Sequence, residues 1–198
     1  MLNEVWLRPL VWTDYRVALL FLVIFPLVLL IWSLAQKTEA VSHLMSIYWK
    51  VSSLLAITVL LMIGSLQISY ICSLFARILI PISLWFWIDL NEEIDDLPPS
   101  PFKLAVTAWR WGTTIYCVIG TLAILPFVPC AISTLTFKQT HCQIWLEAPW
   151  KFREMFLGGY KPEALGTFGI FALIIYTLSL GYFAIIQLGK QGRSAMPQ

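Results

Sequence analysis

The chain has 198 residues, 59% hydrophobic and 12% charged, with a net charge of +2; soluble domains carry roughly a quarter charged residues. So balanced a charge excludes the polyelectrolyte attraction that nucleic-acid binding needs. No phosphate-binding stripe, zinc-finger spacing or RNA-binding aromatic motif occurs. Ten tryptophans are a heavy load for this length, and the few charges are unevenly spread.

Four stretches hold no charge and are long enough, or nearly so, to cross a bilayer: Val17–Ala35, Val51–Ala76, Trp111–Phe137 and Ala164–Leu188. A crossing takes about 20 apolar residues, because the hydrocarbon core is roughly 30 Å thick and a helix rises about 1.5 Å per residue. The expected fold is therefore an all-α, polytopic helical membrane protein forming a single transmembrane domain.

In chain order, residues 1–16 mix Trp6, Leu7, Leu10 and Trp12 with charges and read as an interfacial lead-in. Charges precede the first apolar run and no small-residue cleavage site follows it, so Val17–Ala35 reads as a permanent first helix bent at Pro26. The region from Leu44 to Ile88 is about twice one crossing, with Gly64 near its middle. Two spans are expected there, about 44–63 and 68–88, giving five transmembrane helices; one span, giving four, is the alternative. The two-span reading puts Arg77 near mid-bilayer and draws Lys50 inward. "PPSP" ends whatever helix precedes it. A fourth helix follows from about Leu104–Trp109 to Pro126–Pro129, then an excursion over about 133–163, then a fifth helix over Leu165–Leu188. Short amphipathic helices lying in the membrane surface are expected in the excursion, from Ile144, Trp145, Leu146, Trp150, Phe152 and Phe156 set among charges. Under either count the acidic segment 89–101 shares one face with the C-terminus, and the excursion lies on the other. Only the N-terminus changes sides.

Asp89, Glu92, Glu93 and Asp96 fall at i, i+3, i+4 and i+7 and share a helical face if the helix continues out of the membrane. A solvated helix end and a docking surface for a basic partner both fit. Neither an EF-hand loop nor the Glu-x-x-His pairs of a di-iron bundle is present. Arg77 finds no acidic residue within a predicted span and is expected to use backbone carbonyls, the interface, another subunit or a lipid phosphate. Arg110, between Trp109 and Trp111, is placed to bridge to Asp89 or Glu92. Cys130 and Cys142 bracket the start of the excursion, where a disulfide would pin the loop and mark an oxidising compartment; two small apolar fillers are the other reading. Cys72 and Cys117 read as packing residues. His141 beside Cys142 lacks zinc spacing, and His43 is more simply an interfacial histidine than an axial ligand for chlorophyll or haem. No catalytic residue, metal or cofactor is expected.

The strings "WLRPLVWTDYR", "ARILIPISLWFWIDLNEEIDD", "WLEAPW" and "LGKQGRS" resemble a family of small cyanobacterial integral membrane proteins of uncharacterised function. The resemblance spans essentially the whole chain and transfers no catalytic residue. It implies a multi-pass protein of a thylakoid or plasma membrane. The expected function is non-enzymatic: a small subunit or assembly factor of a photosynthetic membrane complex. Its partners would be membrane lipids and other integral membrane proteins. The alternative is a transporter or channel subunit with a polar cavity using Arg77, Gln67, Thr58 and Thr114.

Overall fold

Pro26 has no amide hydrogen, so a helix passing through it must leave the carbonyl four residues back unpaired. In the computed structural model, which describes residues 2–187, the first helix meets that requirement with a π segment. The path runs through α1 (Leu2–Leu19), the π segment Leu20–Ile24 and α2 (Phe25–Gln36). The Phe25 amide donates to Leu20 O, which frees the Phe21 carbonyl as well. Both freed carbonyls accept from other helices: Tyr48 Oη donates to Leu22 O at 2.7 Å, and Trp109 Nε1 to Phe21 O at 2.9 Å. The proline break thus becomes two interhelical hydrogen bonds. Residues 2–16, expected as a separate lead-in, are the first turns of this helix. Of their charges, Asp14 enters the bundle, while Arg8 and Arg16 stay exposed.

Lys37, in the left-handed region, ends α2 and turns the chain into α3 (Glu39–Ile63). A tight turn at Gly64–Gln67, with Ser65 at positive φ, then leads to α4 (Ser69–Trp85). Gly64 is required there: a Cβ on it would lie 2.5 Å from the Gly166 Cα. After α4 the chain bends by 60° into α5 (Ile88–Asp95). Ser100 caps α6 (Pro101–Ile124), accepting from the Lys103 amide, with Pro101 in the first turn, where its missing amide costs nothing. The excursion holds the short α7 (Pro129–Ile132) and α8 (Thr134–Phe137), then α9 (Thr140–Phe156). The last helix is α10 (Pro162–Tyr182), extended by a π segment to Gln187. The tail 188–198, with Lys190 and Arg193, lies outside the described residues.

Among the described residues, three helices are long and apolar enough to cross a membrane: Trp6–Gln36, Glu39–Ile63 and Pro162–Ile185. The bent pair α4–α5 supplies a fourth if it counts as one span. This composition supports a membrane location. Helix α6 has the length, about 36 Å for 24 residues, but Arg110 and its threonines keep it out of that set. The expected five crossings thus reduce to three or four helices that qualify by length and composition.

The core joins Leu44, Met45, Tyr48, Leu84, Leu90, Ile94, Val106 and Cys117 from α3, α4, α5 and α6. Trp87, at the bend between α4 and α5, is 5% exposed and belongs to this core. Helix α10 packs on α3 and buries only Leu165, Gly166 and Gly169 along its length. Helix α9 is one helix whose first half buries Ile144, Trp145 and Leu146; Met155 and Phe156 at its far end are exposed.

Candidate functional site

Ionisable groups inside apolar helices are costly and need partners, so the site is built from them. Arg77, 7% exposed on α4, meets Asp14 of α1 in a two-pronged ion pair: Nη1 to Oδ1 at 3.1 Å and Nη2 to Oδ2 at 2.6 Å. Tyr116 of α6 donates to Asp14 Oδ1 at 2.8 Å and lies 5.7 Å from the guanidinium carbon. Three helices meet at this point. Opposite, Gly120 of α6 leaves the volume that the guanidinium fills, for a Cβ there would sit 1.8 Å from Nη1. The carbonyls, lipid phosphate or second subunit expected for Arg77 are replaced by a carboxylate of its own chain.

A second polar knot closes the α4–α5 bend. Breaking a helix frees its last carbonyls, and two of them are taken up here. Arg110 Nη2 donates to Leu84 O at 3.1 Å and to Asn91 Oδ1, while Asn91 Nδ2 donates to Trp85 O at 3.1 Å. The Arg110 guanidinium carbon lies 4.2 Å over the Trp85 ring. Trp85 Nε1 donates to Thr114 Oγ1 at 2.8 Å, and that hydroxyl donates to Arg110 O. The expected carboxylate partner of Arg110 is thus supplied in part by an amide, Asn91, which composition alone did not single out.

The acidic segment is a separate helix and does not continue α4. Leu90 and Ile94 anchor α5 at 0% exposure, while Glu92, Glu93, Asp95 and Asp96 are exposed. Asp89 is half-buried and accepts from the Leu90 amide. Lys103 Nζ caps the far end through Asp95 O and Leu97 O at 2.5 and 2.8 Å.

At the other end of the bundle, Cys130 and Cys142 form a disulfide. Tyr70 Oη donates to Cys142 O at 2.6 Å, tying α4 to α9, and Arg8 pairs with Glu147 at 2.8 Å, tying α1 to α9. The N-terminal end of α1 and the excursion therefore share one end. The ligand atoms of His141, Cys130 and Cys142 lie within 4.8 Å of one another. With the two sulfurs bonded to each other, no thiolate is offered to a metal. Nearby, the hydrogen bond from exposed Lys151 holds the Glu154 carboxyl below its ordinary value. We expect that replacing Cys130 and Cys142 by serine, or reducing them, costs about 2–3 kcal/mol through the lost loop constraint. Thermal unfolding in detergent with and without reductant measures this. Two of the four cysteines, Cys72 and Cys117, should titrate as thiols in the unreduced, denatured protein.

The residues named for a transport path each have a local place in the fold. Thr58 donates to Leu54 O, Thr114 serves the Trp85 knot, and Gln67 lies in the α3–α4 turn.

Residues 8–196 match the family described as protein of unknown function (DUF3177). The match covers most of the chain, so the chain belongs to that family. No curated protein and no solved structure matches it.

Proposed function

We propose that this member of the DUF3177 family is a non-enzymatic membrane protein that works by contacting other integral membrane proteins, as a small subunit or an assembly or stability factor. One contrast carries the reading. The buried arginines are engaged inside the chain, whereas Glu92, Glu93 and Asp95 of α5, with Asp96 at its C-terminal cap, are exposed on a helix fixed by Leu90 and Ile94. A rigid exposed acidic edge suits a basic patch on a partner, and such patches act mainly on encounter rate and specificity.

In this reading the five long helical segments each run from one end of the bundle to the other, so five cross the membrane. Helix α6 crosses with Arg110 and its threonines facing its neighbours. The disulfide end then faces an oxidising space and the α5 end the cytoplasm. The cyanobacterial resemblance makes subunits of photosynthetic membrane complexes the first partners to test, in a thylakoid or plasma membrane.

The test is co-purification after gentle solubilisation, comparing the wild type with the triple variant Glu92→Lys, Glu93→Lys, Asp96→Lys. All three side chains are exposed, so the variant should keep its thermal midpoint and lose most of the recovered partner. Equal recovery would remove α5 as the docking edge. A wild type recovered only as a monomer would remove the proposal.

A further inference from the structure

Lys50 stands apart from the other charges inside the apolar helices. It lies near the middle of α3, about 17 Å along the axis from Glu39 and about 20 Å from Ile63. Its side chain is exposed, and no carboxylate partners it among the described residues. An unpaired cation at such depth is unfavourable unless water or an anion reaches it.

What Lys50 faces is a cavity of about 950 Å³, at the upper end of small-molecule sites. It forms because α4 and α10 both pack on α3 and hardly touch each other. The floor is the α3 face carrying His43, Ile47 and Lys50, at i, i+4 and i+7. Ser83 and Trp87 stand on one wall and Tyr176 on the other. Among the described residues, the lining is otherwise mostly apolar and includes no Asp or Glu. The cavity is open on one side, beside an α10 whose other face is almost wholly exposed. An occupant therefore needs two parts: hydrocarbon to match the walls, and an anion to meet Lys50, with His43 two turns nearer the α5 end.

We propose that this groove is a binding site for an anionic lipid, its acyl chain lying between α4 and α10 and its phosphate head drawn to Lys50 and His43. Charge complementarity selects the head, since a zwitterionic lipid would bring a second cation beside Lys50. The site is separate from the α5 docking edge, and its test involves no protein partner.

The full chain, purified in a neutral detergent, is offered phosphatidylglycerol or phosphatidylcholine with the same acyl chains. Bound lipid is counted by native mass spectrometry, and the thermal midpoint is followed in parallel. Retention of phosphatidylglycerol should exceed that of phosphatidylcholine by about tenfold, as a charge-assisted contact gives. Lys50→Gln should bring the ratio close to one with an unchanged lipid-free midpoint, and Lys50→Arg should keep it. Lys138→Gln, exposed in the excursion, should leave it unaltered. Ser179→Trp, which adds bulk to the α10 wall from an exposed position, should lower retention of both lipids. Equal binding of the two lipids by the wild type would overturn the proposal. So would a preference that survives Lys50→Gln, or one that appears only after removal of residues 188–198, which would make the tail the occupant.

Discussion

Replacing Asp14 with alanine is expected to destabilise the protein by about 3–5 kcal/mol, the cost of leaving one partner of a buried ion pair uncompensated. Arg77 would keep its place at 7% exposure and lose both of its bonds to Asp14. Tyr116 would lose its acceptor on the same carboxylate. The loss reflects a stranded charge and not a large net gain from the pair, so removing both ends should hurt far less. Asp14→Ala combined with Arg77→Met should recover most of the stability, because Met fills similar volume without a charge. Thermal unfolding of the four species in one detergent closes the double-mutant cycle. A single variant within about 1 kcal/mol of wild type, the range of an exposed pair, would show that water reaches the site and that it does not pin the bundle.

Gly120→Ala should do comparable harm from the opposite side. Its Cβ would lie 1.8 Å from Arg77 Nη1 and 3.0 Å from the guanidinium carbon. An arginine tip at a surface would swing aside at little cost. This one is held by both oxygens of Asp14, with Tyr116 against its face. Either α6 withdraws from α4 or the guanidinium leaves the carboxylate. Overpacking alone costs about 1–3 kcal/mol, and part of the ion-pair loss adds to it, for about 3 kcal/mol or more. The distinguishing result is coupling: in an Arg77→Met background the Gly120→Ala penalty should shrink, since a methionine end can repack. A penalty unchanged by Arg77→Met would place its cause in the α6 backbone and not in the arginine's cradle.

The main helices were legible because apolar length is a property of composition, and the charge-free stretches locate all but α4, α5 and the helix α9 of the excursion. The π segment and the two hydrogen bonds its carbonyls accept were not, although Pro26 announces the disturbance. Which side chains answer a freed carbonyl depends on helices 26 and 88 residues further along the chain, counted from Leu22 to Tyr48 and from Phe21 to Trp109. The partner of Arg77 was missed for a specific reason. Asp14 and Arg16 end the first charge-free stretch, so a reading that places charges outside spans ends the helix there. In the fold, Asp14 is inside because Arg77 is inside. Each charge makes the other's burial tolerable, and neither is predictable alone. The bend that makes the acidic segment a helix of its own was out of reach for a similar reason. The helical spacing of its carboxylates is real, but the 60° turn before Ile88 goes with Arg110 and Asn91 capturing the carbonyls of Leu84 and Trp85. The pinning of the excursion by Cys130 and Cys142 lies closer to the sequence, because both thiols stand near the ends of one short loop.

The most direct test of the proposed five-crossing arrangement is the sidedness of three reporter cysteines, Asn3→Cys, Lys151→Cys and Glu93→Cys. Each is introduced singly with Cys72 and Cys117 changed to alanine and probed with a membrane-impermeant maleimide on sealed vesicles. Positions 3 and 151 should react from one side and position 93 from the other. Reaction of positions 3 and 93 from the same side would contradict that arrangement, because the first helix and the α3–α4 pair could not then all cross.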